Sequence, residues 1–216
     1  MRRYFAPMEG ITGWLFRSVH QRYFPGADKY YMPFLSPRRD HSFTRRELAD
    51  VLPEHNGGAA AVPQLLTGNG EDFLWAAREL FAMGYREINL NLGCPSGTVT
   101  AKGKGAGLLG RPQELERMLD TVFSAAPTAI SVKTRLGLER PEEFGPLLEL
   151  FNRYPIAELT IHPRVRRDFY KGRPRMEAFA AAAAAGCRPI CYNGDLTTPE
   201  SVSAFSSAFP AVEAVM

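Results

Sequence analysis

Short apolar runs typical of β-strands alternate with longer helical stretches along the whole chain. Eight strands are predicted, recurring about every thirty residues, which is the length of one strand-helix unit. They are Tyr4–Ala6, Lys29–Met32, Ala60–Leu65, Glu87–Asn91, Ala129–Thr134, Glu158–His162, Pro189–Asn193 and Val212–Met216. Helix signals separate them: Pro112, Pro141 and Pro199 occupy first helical positions, while Gly84 and Gly186 stand where helices end.

This order of elements predicts the fold class. Repeated strand-helix alternation implies an α/β protein with a parallel sheet. Seven complete units and the start of an eighth predict a (β/α)8 TIM barrel, cut short within or just after its eighth strand. A doubly wound open sheet is the structural alternative.

Four of the predicted strands carry a polar residue at every second position. The alternating polar residues are Asn89, Asn91, Ser131, Lys133, Thr160, His162, Cys191 and Asn193. Because side chains alternate between the two faces of a strand, each polar set shares one face, and the apolar set must face the helices. The polar set is therefore expected to point into the barrel. Most of it, together with Gln64 on the third strand, lies at the C-terminal strand ends, which form the mouth where active sites of this fold are built.

Composition and charge restrict the possible classes of protein. The chain has 216 residues, 45% of them hydrophobic, and a formal net charge of +3, which fits one ordinary soluble domain. No apolar run is long enough to span a bilayer, and the N-terminus does not resemble a signal peptide. Its three cysteines lack metal-type spacing. We predict a cytoplasmic monomer that binds neither metal nor membrane.

The residues after the fourth strand carry a candidate reactive group. Cys94 follows a polar strand and precedes a glycine-lysine stretch, whereas Cys187 and Cys191 are expected to be buried and inert. Residues 105–110 match the glycine pattern of dinucleotide-binding loops, but they do not directly follow a strand and lack the acidic residue expected downstream. We expect instead a flexible loop whose Lys102 and Lys104 approach a large anion.

Two basic segments also follow predicted strands. Residues 164–175 hold six basic residues against one aspartate, with Phe169 and Tyr170 among them, and residues 38–46 hold four arginines against one aspartate. Both segments should lie at the barrel mouth. Basic residues can bind phosphates and aromatic rings can stack on bases, so this distribution favours an RNA partner over a merely solvated surface.

Six motifs carry a resemblance to a known family. "APMEGIT", "VPQLL", "NLNLGCP", "VKTRLG", "TIHPR" and "YNGD", in this order and spacing, resemble the tRNA-dihydrouridine synthases from Tyr4 to Met216. The resemblance implies an FMN-dependent (β/α)8 enzyme that reduces uridines in tRNA, with NADPH as electron donor.

The resemblance also implies a role for each matching residue. Cys94 corresponds to the catalytic acid. Cofactor contacts are implied for Pro7, Met8, Glu9, Gln64, Lys133, His162, Asn193, Gly194 and Asp195. Asn91 and Tyr170 correspond to positions that meet the tRNA, and Arg164, Lys102 and Lys104 are expected to contact it as well. A thiol suits the acid role because its ordinary pKa keeps it protonated at neutral pH while still allowing it to release the proton.

Two parts of the family pattern do not occur in these residues. One is the family's glycine-arginine-glycine turn after the eighth strand, which binds the FMN phosphate. The other is its C-terminal helical tRNA-binding domain. We therefore expect residues 1–216 to form the FMN-binding barrel alone, incomplete at its C-terminus. Two alternatives stay open: another FMN barrel oxidoreductase acting on a small pyrimidine, of the dihydropyrimidine or dihydroorotate type, and a non-catalytic tRNA-binding remnant.

Overall fold

The computed structural model of the protein describes residues 1–186 and 189–216. Its strands are β1 (Arg2–Phe5), β2 (Lys29–Tyr31), β3 (Ala61–Val62), β4 (Gln64–Leu65), β5 (Glu87–Leu92), β6 (Ala129–Arg135), β7 (Leu159–His162), β8 (Ile190–Tyr192) and β9 (Ala214–Val215). Its α-helices are α1 (Trp14–Tyr23), α2 (Arg45–Val51), α3 (Gly70–Ala82), α4 (Gly97–Thr100), α5 (Pro112–Ala125), α6 (Phe144–Asn152), α7 (Met176–Ala185) and α8 (Pro199–Ala208).

The strands form one parallel sheet that closes on itself. The order is β3-β2-β1-β9-β8-β7-β6-β5-β4. Only Pro63 separates β3 from β4, and a proline cannot donate a ladder hydrogen bond, so the two are halves of one barrel strand. One half pairs with β2 and the other with β5. The result is a barrel with eight strand positions, which confirms the predicted fold and excludes the open sheet.

The local helix signals are confirmed with one shift. Helices α5 and α8 begin at Pro112 and Pro199, and α3 ends before Gly84, whose φ of +102° is a left-handed conformation that glycine adopts easily. Pro141 instead opens a 3-10 turn, and α6 starts only at Phe144. Among the described residues, none of the helices has the length and apolar character needed to cross a membrane.

Apolar side chains form two separate cores, as the alternation along the strands predicts. The larger core lies between strands and helices and includes Leu90, Val132 and Ile161. The smaller core is inside the barrel and consists of Tyr4, Tyr31, Val62, Cys191 and Ala214. Cys191 is therefore a buried packing residue, as predicted, whereas Cys187 lies outside the described residues.

A carboxylate and two phenols close the amino-terminal end of the barrel. Glu158 is buried and accepts hydrogen bonds from the hydroxyl groups of Tyr4 at 2.7 Å and Tyr31 at 3.0 Å. The Lys29 ammonium lies 4.0 Å from the same carboxylate and 2.6 Å from that of Glu87. These bonds satisfy a charge that would otherwise be costly to bury, and they link strands on opposite sides of the barrel.

We expect Tyr4→Phe to destabilise the fold measurably. It removes a hydrogen bond to a buried carboxylate, so the free energy of unfolding should fall by about 1.5–3 kcal/mol in denaturant titration. Tyr154→Phe is the matched control, because the Tyr154 hydroxyl bonds Asp120 at an exposed position and should contribute less than about 1 kcal/mol. Equal losses in the two variants would contradict the importance of the Glu158 cluster.

Candidate active site

A cavity of about 550 Å³ opens at the carboxyl ends of the barrel strands. Its volume falls in the range typical of small-molecule sites. The cavity brings together every site residue that the sequence predicts except two: Pro7, Met8, Glu9, Gln64, Asn91, Cys94, Lys133, His162, Arg164, Tyr170, Asn193, Gly194 and Asp195. Residues far apart in the chain therefore meet at one place because parallel strands end at the same mouth.

A chain of side-chain hydrogen bonds runs through the barrel interior to the cavity. The Gln64 amide donates to Asn89 at 2.8 Å, and the Asn89 amide donates to the Ser131 hydroxyl at 2.9 Å. Asn91 donates in turn to the Gln64 carbonyl oxygen at 2.7 Å. Both ends of the buried Gln64 amide are thereby fixed, so its orientation is set before any ligand binds.

Asn91 also holds the segment that carries the thiol. Its side-chain oxygen accepts hydrogen bonds from the backbone N–H groups of Gly93 at 3.0 Å and Cys94 at 2.9 Å. Asn91 therefore connects the Gln64 amide to the Cys94 segment. Burial raises the pKa of the Cys94 thiol, which keeps it protonated at neutral pH.

The segment after Cys94 differs from the flexible loop expected from the sequence. Residues 97–110 form α4 and a 3-10 helix, and the Ala106 N–H donates to the Cys94 carbonyl at 3.1 Å. Gly105 has a φ of +54°, and a side chain there would come within 2.9 Å of the Cys94 carbonyl oxygen. The glycines thus serve close packing behind the thiol. Lys102 and Lys104 lie in this segment, outside the cavity wall.

Lys133 projects an ammonium group into the cavity from β6. Its Nζ donates to the Asn193 side-chain oxygen at 2.6 Å, and the Asn193 amide donates to the Met216 carbonyl at 2.9 Å. Burial, with a smaller contribution from the nearby Arg135 cation, lowers the pKa of Lys133 to about 8. An anion bound beside this ammonium would reverse that shift, because it would stabilise the charged form.

His162, at the end of β7, is a neutral imidazole. Burial and the Lys133 and Arg135 cations lower its pKa to about 2. The Nη1 group of Arg164 lies 3.0 Å from His162 Nε2, and an arginine can only donate. His162 Nε2 is therefore an acceptor, and the ring proton is on Nδ1.

Arg164 is not a surface residue, although the sequence suggested that it contacts tRNA. The side chain is 2% exposed, forms a bidentate ion pair with Asp195 and donates to the Gly172 carbonyl. Its guanidinium is thereby committed to holding residues 164–172 against the turn after β8. The same ion pair lowers the pKa of Asp195.

Gly194 lies under an aromatic hydroxyl. A side chain added there would come within 2.2 Å of the Tyr192 hydroxyl, so the protein's own packing favours glycine at this position. By contrast Tyr170 is 72% exposed at the rim of the cavity, and the Arg135 guanidinium lies 5.3 Å from its ring centre. A ring in this position is free to stack on a further group.

Comparison with known proteins bears directly on this geometry. The family model for dihydrouridine synthases matches residues 4–216. The chain belongs to the dihydrouridine synthase family.

Individual relatives agree with this family membership. The chain is 31% identical over 203 residues to a probable tRNA-dihydrouridine synthase 1 from Synechocystis sp., covering 92% of this chain and 56% of the relative. It is 28% identical over 212 residues to tRNA-dihydrouridine synthase B from Shewanella oneidensis, covering 98% and 65%. The chain thus spans little more than half to about two thirds of the length of these dihydrouridine synthases.

Solved structures support the fold alone. A variant of NCR from Zymomonas mobilis superimposes with a TM-score of 0.64 at 14% identity, covering 99% of this chain and 80% of that one. A morphinone reductase variant in complex with tetrahydroNAD superimposes with a TM-score of 0.67 at 10% identity, covering 99% and 81%.

The periodicity of the sequence did not identify one charged residue of the cavity. Arg135 is the last residue of β6 and is 2% exposed. The sequence predicts that this strand ends at Thr134, one residue before its actual end. The alternation that assigns Ser131 and Lys133 to the inner face was therefore not extended to the last residue. Extending the period of two by one step selects Arg135 for the same face.

We expect His162 to stay neutral in the native protein down to about pH 5, whereas in the unfolded chain it should titrate near its usual pKa of about 6.5. Because the native pKa is lowered, both states are neutral above that value, and only the unfolded state takes up a proton as the pH falls below it. This residue should therefore reduce the free energy of unfolding by up to about 1.4 kcal/mol per pH unit below pH 6.5.

The measurement is histidine NMR titration in native buffer and in urea, with unfolding curves for wild type and His162→Gln. The difference in stability between the two proteins should change below about pH 6.5 and stay constant above it. A native His162 that titrates above pH 6 would contradict the assignment.

Proposed function

We propose that the protein is the catalytic barrel of a tRNA-dihydrouridine synthase that reduces the C5–C6 bond of uridines in tRNA, with FMN as cofactor, NADPH as electron donor and Cys94 as proton donor. One observation carries the proposal: the Cys94 thiol and the Lys133 ammonium lie on the wall of the same cavity, in a chain of this family. The whole protein is longer in the relatives, so this activity is proposed for the full-length protein.

The charges in the cavity support an anionic cofactor. Lys133 bonds an amide oxygen, and Arg135 bonds backbone carbonyls and interacts with the Tyr170 side chain. Neither cation has a carboxylate within ion-pair distance in residues 1–186 and 189–216. Buried cations without a counter-ion are costly, so a negatively charged ligand would stabilise them. FMN carries a phosphate and supplies, when bound and reduced, the hydride for C6 of the uracil ring.

The fixed polar groups fit the remaining parts of such a ligand. The Gln64 amide keeps one N–H and one lone pair beyond its bonds to Asn89 and Asn91, which suits the donor-acceptor edge of a pyrimidine ring. The neutral His162 offers its Nδ1–H, and Lys133 provides positive charge where negative charge would develop. Residues 193–195 are proposed to lie near the ribityl chain.

Cys94 would deliver the proton that completes the reduction. The saturated product needs one hydride at C6 and one proton at C5. The thiol gives up its S–H proton to C5 and becomes a thiolate, which Arg135 and Lys133 stabilise because both cations favour the charged form of this sulfur. Asn91 fixes the Cys94 backbone, so the thiol is held in place for that transfer.

The substrate uridine must leave its stack to reach this cavity. A base in a folded tRNA would therefore be extruded from its neighbours, as in other enzymes that act on bases. The exposed ring of Tyr170 at the rim can stack on such a nucleotide.

The cysteine role can be tested by separating the two half-reactions. In the full-length protein, we expect Cys94→Ala to bind FMN and to be reduced by NADPH at the normal rate. The reoxidation of the reduced protein by tRNA that lacks dihydrouridine should slow by about 10²- to 10⁴-fold, the usual contribution of a general acid. The measurement is anaerobic stopped-flow absorbance in the flavin bands.

Cys191→Ala is the control for this experiment. Its thiol is buried inside the barrel, so the reoxidation rate should stay within a few-fold of normal. Normal reoxidation by Cys94→Ala, or a block in Cys191→Ala instead, would show that Cys94 is not the proton donor.

The structure divides the basic residues near the mouth into two groups. Arg164 and Arg175 are engaged in ion pairs with Asp195 and Asp168. Lys171 and Arg173 are exposed, as are the arginines of the other basic segment, Arg38, Arg39, Arg45 and Arg46. Only the exposed group is placed to bind phosphates, and it favours RNA over a small pyrimidine as the substrate class.

We therefore expect the tRNA affinity of a Lys171→Ala/Arg173→Ala double variant to depend less steeply on salt concentration. The slope of log affinity against log salt concentration should flatten by about one to two units, because each phosphate contact releases counter-ions. The measurement is tRNA binding at several salt concentrations, with FMN binding unchanged. A double variant at exposed arginines far from the mouth, Arg78→Ala/Arg153→Ala, should keep the wild-type slope.

Activity on free uracil or dihydroorotate would instead favour the small-molecule alternative.

A further inference from the structure

Arg135 donates hydrogen bonds to backbone carbonyls of two separate segments. Its Nε donates to the Gly93 carbonyl at 2.9 Å. Its Nη1 donates to the Phe169 carbonyl at 2.7 Å and the Val165 carbonyl at 3.2 Å. Gly93 belongs to the segment after β5 and the other two belong to the segment after β7, so one side chain bonds two separate segments of the cavity wall.

Two of the three bonded carbonyls are next to Cys94 and Tyr170, the groups proposed to face the substrate. Gly93 immediately precedes Cys94, and Phe169 immediately precedes Tyr170. The Tyr170 ring also lies over the Arg135 guanidinium at 5.3 Å. Phe169 has a φ of 51°, a conformation that side-chain-bearing residues rarely adopt, and the bond from Arg135 to its carbonyl helps to hold it.

We propose that Arg135 is a positioning residue that couples the Cys94 segment to the segment carrying Tyr170. The planar guanidinium has N–H groups in a fixed fork, so it can serve both segments only while they keep one relative position. The placement of the thiol and the placement of the aromatic ring then depend on each other. The identity of the group that contacts Tyr170, a nucleotide, rests on the proposed function, but the coupling itself does not.

Charge alone cannot give this coupling. A lysine ammonium is a compact point charge and cannot reproduce the fork that spans both segments. Arg135→Lys therefore keeps a cation near the Cys94 thiol and removes the geometry. Asn91 still holds the Cys94 backbone from the other side, so the segment should not unfold in this variant.

The coupling can be probed from a residue away from the cavity. Asp168 holds the second segment through its ion pair with Arg175 and its bond to the Val165 N–H, and it does not line the cavity. Asp168→Asn weakens this anchor without opening a new path to the thiol. If Arg135 transmits the change, Asp168→Asn should alter the reactivity of Cys94 when Arg135 is present and should not alter it in Arg135→Lys.

The experiment is a double-mutant cycle on the rate at which iodoacetamide alkylates Cys94, followed by mass spectrometry of the peptide that contains it. We expect Asp168→Asn to raise the rate by about three- to tenfold, a modest value for residues in one network, and to have no effect in Arg135→Lys. Glu139→Gln, which breaks the exposed ion pair of Arg167 on the same segment, should leave the rate unchanged in both backgrounds.

An equal effect of Asp168→Asn in the two backgrounds, or no effect in the native one, would overturn the proposal. The cycle needs no catalytic turnover, so it is independent of the proposed function.

In the full-length protein, Arg135→Lys should also lower kcat with tRNA by at least tenfold while FMN affinity stays normal. Coupling in the cycle without any tRNA reduction by wild type would refute the proposed function and leave the role of Arg135 intact.

Discussion

Polar side chains that a barrel sends inward have to find their hydrogen-bond partners on neighbouring strands, because bulk water cannot reach them. In this protein the requirement is met in layers. Ser131, Asn89 and Gln64 bond one another across β6, β5 and β4, and Asn91 extends the chain to the backbone of Cys94. The side chains of the candidate site are therefore oriented by the same bonds that stabilise the interior.

The layers also explain why one end of the barrel is suited to chemistry and the other is not. At the amino-terminal end, Glu158 is matched by the hydroxyls of Tyr4 and Tyr31, and its charge is compensated nearby by Lys29. At the carboxyl end, Lys133 and Arg135 have only neutral partners in the described part of the chain. The Thr160 hydroxyl, below them in the barrel, has no hydrogen-bond partner there. The unmatched charge lies where a ligand can enter.

The sequence predicted the elements of the fold well because periodicity and helix signals are local. All eight strand positions were found, and the inward direction of Asn89, Lys133 and His162 followed from a period of two. It did not predict contacts between distant segments. The burial of Arg164 depends on Asp195, thirty-one residues away, and the packed state of residues 97–110 depends on glycine contacts to Cys94.

The basic segments illustrate the same difference between local and distant information. Counting charges treats the arginines of residues 164–175 as equivalent, yet the fold uses Arg164 and Arg175 internally and leaves Lys171 and Arg173 exposed. Composition can indicate that a surface is basic. Only tertiary contacts decide which cations are available to a partner.

β9 is joined to its neighbours by few backbone pairs in the described residues. Its two residues pair with only two positions of β8 on one side and two of β1 on the other, whereas β5 and β6 share six. Local unfolding begins where few hydrogen bonds must break, so amide hydrogen exchange should be faster along this line than between β5 and β6. The Met216 carbonyl, which accepts from Asn193, lies at its end. Transient opening there would release Asn193, the hydrogen-bond partner of Lys133, and make the electrostatics of the cavity depend on the breathing of the barrel wall.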